Sequence, residues 1–373
     1  MKIAIITSRY PSENNPYNHM FVHMRCLEML QQNTEVKVYV SSKQTDSYTY
    51  QGVKVQLMPS AEIVKQLDDE QGLIYLHLLN IYPFSTHNGW PIYKHIMQHN
   101  LQALMYVHGS EVQKYTARWY EFNYRISDVL KWIKKDCFVV PKMKQFFKVQ
   151  KRNYPFVFPS FWMKEETERN LKLTIDDYKI IPNGIDTAFF EFHNLAEKRF
   201  KILTIRSLSN KVYDIEKTIE VLENLPEKYT LDIYGEGIYK EQYQKLIASK
   251  KLENRVQIIS RFLERSEMKS LFLNYGAFIS TTRMDSQGVT MMEAAASGLL
   301  VVTTDNSSKN EFIQDDVDGV LGDSAEVIAD KIVAITNNKS RFEEVVARGR
   351  KSMEAIDISK TVRKEIELLK QYI

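Results

Sequence analysis

The chain has 373 residues, which is longer than a chain that a single hydrophobic core usually stabilises, so we expect two domains. Hydrophobic residues make up 44% of the chain and charged residues 26%, which is the balance of a soluble globular protein. The net charge of +3 is small for this length and argues against a dedicated nucleic-acid-binding protein.

The N-terminus and the cysteines bear on the compartment. The apolar run after Lys2 is too short for a signal peptide, whose apolar region needs about 7–15 residues. No stretch approaches the roughly 20 apolar residues of a membrane span. Cys26 and Cys137 both lie in apolar segments, and we interpret them as reduced core residues, not as a disulfide or metal framework. We therefore expect a cytoplasmic protein.

Strands and helices are predicted to alternate along the first half of the chain. A buried strand is predicted at 2–7 and a helix at 21–32, where apolar residues recur close to helical spacing. Further apolar runs predict strands at 36–40, 53–58, 73–78, 104–107, 138–140 and 156–158. This alternation is typical of a doubly wound α/β domain, whose ligands lie at the carboxyl ends of the strands.

Two histidines follow or end predicted strands of this first domain. His108 comes directly after a strand and before Gly109 and Ser110. Ligands of such sheets bind at the carboxyl ends of the strands, which is where His108 would lie. An imidazole there could donate to a sugar hydroxyl or stabilise charge. A helix-capping or structural histidine is the alternative for His108. His77 lies within an apolar run, which favours a structural role.

The segment 131–164 is basic and aromatic and has two interpretations. Its lysines and arginine accompany a single acid, Asp136, and are interleaved with aromatic residues. Lysine with exposed aromatic side chains suits an anionic membrane surface, and the same mixture suits single-stranded nucleic acid. The alternative is that the aromatic residues belong to the core and the lysines are simply solvated.

A turn signal, Asn183-Gly184, and a charged segment after it indicate a domain boundary. The α/β alternation then resumes, with strands predicted at 202–205, 231–234, 256–259, 277–281 and 299–303. Arg206 follows the first of these strands and Lys211 comes five residues later, before a predicted helix at 215–225. Paired cations at such a place could clamp a diphosphate.

A glycine-rich turn containing Gly235 and Gly237 follows the next strand. It is not a G-x-G-x-x-G fingerprint, and no such fingerprint follows the first strand of either domain. A dinucleotide-dependent oxidoreductase is therefore disfavoured.

The clearest ligand-binding pattern lies at 277–305. A strand, a polar loop, a helix opened by Gly288 and a second strand form a β-loop-α-β unit of a parallel sheet. Asp285 in the loop and Glu293 in the helix flank the helix N-terminus, whose unpaired N–H groups suit a nucleotide diphosphate. Glu293 could accept two hydrogen bonds from a ribose diol. The alternative is a solvated Glu293 and an Asp285 that only forms a turn.

In their order and spacing, these motifs resemble those of the family 4 retaining glycosyltransferases of the GT-B fold. The resemblance covers most of the chain and is closest to bacterial capsule and surface-polysaccharide transferases. Its carriers are Asp285-x7-Glu293, Arg206-x4-Lys211, IPNGID at 181–186 and HGSE at 108–111.

The resemblance implies an α/β fold of two doubly wound, Rossmann-like domains that face each other across a cleft. Residues 1–190 would form the acceptor-binding domain and residues 191–355 the nucleotide-sugar-binding domain. Residues 356–373 would be a helix that returns to the N-terminal domain.

The resemblance also implies residue roles. Arg206 and Lys211 would bind the donor diphosphate and stabilise the leaving nucleoside diphosphate, Glu293 would hold the ribose, and His108 would approach the sugar hydroxyls. Asp285 would contact the donor sugar with the backbone of 287–290. The implied catalytic residues are His108, Arg206, Lys211 and Asp285. The implied donor-binding residues are Gly235, Gly237, Gln287, Gly288, Val289, Thr290 and Glu293. No metal or cofactor is expected.

The implied activity is transfer of a hexose, with retention, from a UDP- or GDP-linked sugar to a hydroxyl of a glycan or lipid-linked acceptor. Three positions depart from the family pattern: Asp285 replaces a glutamate, and Ile205 and Val212 replace glycines. The N-terminal Gly-Gly is also absent. Open alternatives are a non-catalytic GT-B partner of an active transferase, a GT-B sugar-nucleotide epimerase or phosphorylase, and a membrane- or RNA-binding protein.

Overall fold

The structure is a computed structural model that describes residues 1–69 and 72–372. Its contacts divide the chain into two units. The N-terminal unit consists of Met1–Gly184 together with Ile358–Ile373, and the C-terminal unit of Ile185–Asp357. Each unit is built on a largely parallel sheet, so the predicted α/β class with two doubly wound units is confirmed.

The strands of the described residues are, in chain order, β1 (Lys2–Thr7), β2 (Glu35–Ser41), β3 (Asp46–Tyr50), β4 (Val53–Met58), β5 (Leu73–His77), β6 (Ala103–Tyr106), β7 (Phe156–Phe158), β8 (Tyr178–Ile180), β9 (Lys201–Ile205), β10 (Thr230–Tyr234), β11 (Val256–Ile259), β12 (Ala277–Ser280), β13 (Leu300–Thr304) and β14 (Val320–Gly322).

The α-helices of the same residues are α1 (Met20–Gln31), α2 (Ser60–Asp69), α3 (Trp90–His99), α4 (Ile126–Trp132), α5 (Val140–Gln150), α6 (Phe161–Leu171), α7 (Ile215–Asn224), α8 (Lys240–Ser249), α9 (Arg265–Phe272), α10 (Val289–Ala296), α11 (Ala325–Thr336), α12 (Lys339–Ala355) and α13 (Ile358–Leu369). A π-helical segment, Ile133–Val139, joins α4 to α5. Across the described residues, no helix is both long and apolar enough to cross a bilayer.

The N-terminal sheet has the order β3-β4-β2-β1-β5-β6-β7-β8. All neighbours pair in parallel except β3, which runs antiparallel to β4. Its central strands are buried on both faces, which explains why they appear in the sequence as uninterrupted apolar runs. The direction of the strand order reverses between β1 and β5, and such a reversal is where α/β sheets open a ligand crevice.

The C-terminal sheet has the order β11-β10-β9-β12-β13-β14, and all its pairs are parallel. This is the strand order of a nucleotide-binding Rossmann sheet, with its reversal between β9 and β12. The loop that contains Arg206 follows β9, and the loop that contains Asp285 follows β12. The two predicted anion-binding motifs therefore lie at the carboxyl edge of the sheet, on either side of the reversal.

Most predicted strands are confirmed, but the strand predicted at 138–140 is wrong. That run ends the π-helical segment and begins α5, which has Pro141 in its first turn. Val139 and Val140 are buried while Phe138 is 53% exposed, so three adjacent apolar residues do not mark a strand here. Cys137 is exposed, which corrects its prediction as a core residue, whereas Cys26 is buried as expected.

The aromatic residues of 131–164 divide between core and surface. Phe146, Phe147 and Phe156 are fully buried, and the rings of Phe147 and Phe156 stack with centroids 4.1 Å apart. For these residues the core interpretation is right. Other apolar side chains are exposed, both within this segment, as Phe161 is, and upstream of it. We call the exposed apolar residues of 119–138 the 119–138 surface; they are Trp119, Tyr124, Ile126, Val129, Leu130, Trp132, Ile133 and Phe138.

A buried ion pair fixes α13 to the rest of the N-terminal unit. The Nε atom of Arg25, in α1, lies 2.8 Å from a carboxylate oxygen of Glu365, in α13, and both side chains are almost fully buried. The hydroxyl of Tyr75 donates to Glu365 at 3.0 Å, and Nη2 of Arg25 donates to Asn183 at 3.2 Å. This network joins β5, α1 and α13 to Asn183, which lies near the end of the segment Met1–Gly184.

Candidate functional site

Arg206 lies at the carboxyl edge of the C-terminal sheet and is held there by two hydrogen bonds. Its Nη2 atom donates to the hydroxyl of Ser280 at 2.8 Å, and Nη1 donates to the carbonyl of Ile205 at 3.1 Å. Its Nε atom is buried and has no hydrogen-bond partner among the described residues. A buried, unsatisfied donor is costly, so this guanidinium is suited to an anionic ligand.

Lys211 begins a short 3₁₀ turn, Lys211–Tyr213, after the same strand. Its ammonium lies 5.6 Å from the ring centroid of Tyr239. Its backbone carbonyl accepts a hydrogen bond from Nε of Arg283 at 3.2 Å, and Nη2 of Arg283 pairs with Asp214 at 2.6 Å. Arg283 therefore joins the loop after β9 to the loop after β12. The role of Arg283 is not predictable from the sequence, because a single exposed arginine in a loop gives no signal.

Gly235 and Gly237 pack against the backbone of the Arg206 loop. A Cβ atom on Gly235 would lie 1.9 Å from the carbonyl oxygen of Arg206, and one on Gly237 would lie 2.0 Å from the carbonyl carbon of Leu208. The amide of Arg206 also donates to the carbonyl of Tyr234 at 3.0 Å. Only glycine allows the two loops to approach this closely. The structure therefore gives both glycines a part in shaping the site.

Asp285 organises the loop before α10. Its Oδ1 atom accepts hydrogen bonds from the amides of Gln287 at 3.1 Å and Gly288 at 2.8 Å, and its own amide donates to Ser307 at 3.1 Å. Gly288 has a φ of +79°, which favours glycine, and α10 begins at the next residue. Two of the amides predicted to contact a donor sugar are thus occupied by the Asp285 carboxylate, and the side chain of Gln287 is buried.

Lys309 is a buried cation that supports this loop and that sequence analysis missed. Its ammonium donates to the hydroxyl of Thr304 at 2.7 Å, to Asn306 at 2.6 Å and to the carbonyl of Thr282. Burial lowers the pKa of Lys309 to about 7, and the nearby Asp285 opposes that shift. The side chain therefore holds the loops after β12 and β13 together.

Glu293 lies one turn into α10 in a low-dielectric, charged environment. Burial raises its pKa to about 7, against the opposing effects of Arg265 and Arg206, while Asp186 raises the pKa further. Arg265 pairs with Asp186 at 3.0 Å and lies over the ring of Phe189 at 4.1 Å. A carboxyl with a strongly raised pKa is typical of a functional site.

The structure thus brings most of the predicted site residues to one edge of the C-terminal sheet. They are Arg206, Lys211, Gly235, Gly237, Asp285, Gln287, Gly288, Val289, Thr290 and Glu293. Val289 and Thr290 are the first residues of α10. Cations, helix N–H groups and a carboxyl can together bind a phosphorylated ligand that carries hydroxyl groups.

His108 belongs to the N-terminal unit, at the end of β6. Its Nε2 atom lies 3.0 Å from Nδ1 of His77, and its ring stacks on that of Tyr106 at 4.4 Å. Burial, with the nearby Arg25, lowers the pKa of both imidazoles well below the usual value, so both are neutral. The Glu111 carboxylate accepts hydrogen bonds from the amides of Gly109 at 3.0 Å and Leu78 at 3.1 Å, which fixes the loop after β6.

No group of three or more His, Cys, Asp or Glu side chains in 1–69 and 72–372 is arranged as metal ligands.

The chain contains two Rossmann-like units, and comparison with known proteins shows which families they resemble. Residues 186–352 match the model of the glycosyl transferases group 1. A peptide N-acetylglucosaminyltransferase GtfA subunit of Streptococcus agalactiae is 32% identical over 42% of this chain and 32% of its own. A poly(ribitol-phosphate) alpha-N-acetylglucosaminyltransferase of Staphylococcus aureus (strain COL) is 30% identical over 44% of this chain and 34% of its own. The matched segment therefore spans about a third of these relatives.

Solved structures extend the likeness of the fold to the whole chain. The crystal structure of Anabaena HepE in complex with UDP has a TM-score of 0.73 at 13% identity, and 99% of each chain is covered. Residues 186–352 are thus similar to the glycosyl transferases group 1, and the fold of the whole chain is GT-B. The predicted GT-B fold is confirmed, and assignment to family 4 stays a prediction.

Proposed function

We propose that this protein transfers a hexose from a nucleotide diphosphate sugar to a hydroxyl of a glycan or lipid-linked acceptor, in the synthesis of a cell-surface glycan. The observation that carries the proposal is the edge of the C-terminal sheet, where Arg206, Lys211 and Glu293 meet the start of α10. The names of the relatives support it, since they describe transfer of N-acetylglucosamine to a peptide and to poly(ribitol-phosphate).

The donor is proposed to be UDP-linked, with a GDP-linked sugar as the alternative. The S. agalactiae relative is named for UDP-N-acetylglucosamine, and HepE was solved with UDP. Arg206 and Lys211 would hold the diphosphate, and the ionised Glu293 would accept two hydrogen bonds from the ribose. In this arrangement the two cations and the N-terminus of α10 stabilise the negative charge that grows on the leaving nucleoside diphosphate, so the reaction would proceed without a metal.

The reaction is proposed to retain the anomeric configuration by front-face displacement. The acceptor oxygen would bond to the anomeric carbon as the bond to the phosphate oxygen breaks, and the acceptor proton would pass to that phosphate oxygen. Asp285 is a poor candidate for a covalent nucleophile, because its carboxylate already accepts two backbone hydrogen bonds. His108, neutral and next to His77, would donate a hydrogen bond to a sugar hydroxyl.

The direct test is hydrolysis of a panel of nucleotide sugars, scored by released nucleoside diphosphate. Wild type should turn over one donor slowly, and Lys211→Ala should lower that rate by about 100-fold, as expected for loss of one charge-stabilising group. Lys245→Ala, which removes an exposed lysine of α8, is the matched control and should not change the rate.

Other outcomes favour the alternatives. Absence of both turnover and nucleotide binding in a thermal-shift assay would contradict the proposal and favour a non-catalytic GT-B partner of an active transferase. Interconversion of sugar nucleotides without an acceptor would indicate an epimerase, and a requirement for inorganic phosphate would indicate a phosphorylase.

A cytoplasmic location at the inner face of the cell membrane is part of the proposal. The predicted membrane contact at 131–164 is extended upstream to the whole 119–138 surface, which includes Lys131 and Lys134 in its sequence, while Phe161 is a further exposed aromatic residue of 131–164. Such a surface suits an anionic bilayer. Co-sedimentation with phosphatidylglycerol vesicles should be strong at low salt and weaker at high salt, and Ile126→Asp should reduce it. Absence of binding at low salt would refute membrane contact.

A further inference from the structure

A cavity of the N-terminal unit is lined by an excess of cations. Its volume is about 490 Å³, which is in the range of small-ligand sites. Its walls come from the residues that follow β1, β5 and β6 and from the segment around the π-helix. The cationic side chains that line it are those of Arg9, Lys114, Arg118, Lys131, Lys134 and Lys135.

A single carboxylate, Glu111, is found among the lining residues and can offset only part of their positive charge. Its two oxygens accept the amides of Leu78 and Gly109. The acids that neighbour the lining cations are also engaged: Asp136 accepts from the amide of Tyr115 at 2.5 Å and the hydroxyl of Thr116 at 2.8 Å.

Two further acids each face a single lining cation. Asp128 pairs with Lys131 at 3.1 Å, and Glu121 with Arg118 at 3.3 Å. With Glu111 and Asp136 counted as well, the cations still outnumber the acids.

Two lining cations have donor capacity that the protein does not fully use. The Nε atom of Arg118 is buried and has no hydrogen-bond partner among the described residues. The ammonium of Lys135 donates to the carbonyls of Ser110 and Glu111. Burial lowers the pKa of Lys135 to about 8 although Glu111 and Asp136 oppose that shift, so its charge is less strongly favoured than that of an exposed lysine. A bound anion would reverse that effect.

We propose that this cavity binds a phosphate group carried by the acceptor, as a phosphodiester or a diphosphate. The inference rests on the proposed transferase function and specifies its acceptor class. Cations from three separate parts of the unit line one cavity, and a neutral glycan would leave their surplus of positive charge without a counter-charge. A ligand with more than one negative charge matches the surplus better than a single carboxylate does. The donor diphosphate is assigned to Arg206 and Lys211, so the cavity is a second anion site.

The site itself is tested first with inorganic pyrophosphate, because this assay does not depend on transfer. Lysine acetylation of the full chain is measured by peptide mass spectrometry with and without pyrophosphate at low salt. Lys114, Lys134 and Lys135 should be protected, whereas the exposed Lys65 and Lys148, which do not line the cavity, should not be. The acetylation of Lys211 is measured in the same spectra, so that pyrophosphate binding at the proposed donor site is distinguished from binding in the cavity. Lack of protection at all three cavity lysines overturns the proposal.

The acceptor class is tested next, by transfer to two phosphate-bearing acceptors and to one neutral oligosaccharide. A glycerol-phosphate oligomer and a lipid-linked sugar diphosphate distinguish the two sources of phosphate. Wild type should prefer at least one of them to the neutral acceptor. Lys114→Ala/Lys134→Ala should raise the KM of the preferred acceptor by about tenfold or more, because each lost charge-assisted contact is a sizeable part of anion affinity.

Lys65→Ala/Lys148→Ala loses the same charge and should leave that KM unchanged. Tryptophan fluorescence checks that both double variants are folded. If wild type hydrolyses no nucleotide sugar, the transferase function fails, while the acetylation assay still decides whether the anion site exists. If donors are hydrolysed but the neutral acceptor is preferred, or the cavity variant keeps its KM, the phosphate subsite is overturned and the transferase remains.

Discussion

Glu293 should be a residue whose replacement stabilises the protein while it impairs nucleotide binding. Its pKa of about 7 in the fold, against an ordinary value of 4.5, means that the folded protein binds a proton more tightly than the unfolded chain does. Stability therefore falls as pH rises from about 4.5 to about 7, and the loss is complete above that range. Burial therefore destabilises the ionised form of Glu293, as expected for a carboxylate whose function is to bind a ligand.

The size of the effect follows from the two pKa values. At 1.36 kcal/mol per pKa unit, a value of about 7 in place of 4.5 corresponds to at most about 3 kcal/mol at pH 8. Glu293→Gln keeps the shape of the neutral acid and removes this penalty. For a unit of this size, the substitution should raise the Tm of the C-terminal unit by roughly 5–10 °C at pH 8 and hardly change it at pH 4.5.

The tryptophans make the assay specific to one unit. All four, Trp90, Trp119, Trp132 and Trp162, belong to the N-terminal unit, so their fluorescence reports only that unit, while circular dichroism reports both. Glu293→Gln should move the circular-dichroism transition at pH 8 and leave the tryptophan transition in place.

UDP binding, measured by calorimetry, should weaken by about tenfold or more, since charge-assisted hydrogen bonds to the ribose are lost. Glu253→Gln, which removes an exposed carboxylate of the same unit, is the control and should change neither quantity. The reasoning is refuted if Glu293→Gln lowers the Tm at pH 8, because Glu293 would then be a structural residue. It is also refuted if UDP affinity is unchanged, because the ribose would then be held elsewhere.

Two further predictions concern positioning and stability. Arg283→Ala removes the hydrogen bond to the Lys211 carbonyl and the ion pair with Asp214, so kcat for donor hydrolysis should fall by about tenfold. Arg283→Lys should restore little of this activity, because an ammonium lacks the planar fork of a guanidinium. An unchanged kcat in Arg283→Ala would contradict the prediction. Glu365→Ala leaves the buried Arg25 without its carboxylate and should destabilise the N-terminal unit by about 3–5 kcal/mol in urea, followed by tryptophan fluorescence; a loss below about 1 kcal/mol would show that the pair is dispensable.

The candidate site at the edge of the C-terminal sheet was predictable because its residues lie close together in the sequence. Strand ends carry the polar residues, and Asp285 and Glu293 fall within one β-loop-α-β unit. Arg265 and Lys309 were not predicted, because Arg265 pairs with Asp186, about 80 positions earlier, and Lys309 donates to the carbonyl of Thr282 in another loop. Sequence spacing carries no information about such pairs.

The helical segment around Phe138 was mispredicted for a related reason. An apolar run was taken as buried, whereas one of its residues is exposed on the 119–138 surface. Burial is decided by packing against other segments, and a functional surface can expose aromatic side chains that a core would otherwise bury. Exposed Cys137 beside Phe138 is a second sign that hydrophobicity alone misassigned this stretch.

The two units hold the cations of their proposed anion sites in different ways, and the difference indicates which parts of specificity would be fixed. In the C-terminal unit, glycine contacts, the Asp285 carboxylate and Lys309 hold the backbone so closely that small changes would be transmitted to Arg206. In the N-terminal unit, most cavity cations are long side chains on surface segments. Long lysines can reach phosphates placed at different points, whereas a rigid loop recognises one geometry. Donor choice should therefore tolerate few substitutions, and acceptor choice should change readily through the cavity lysines.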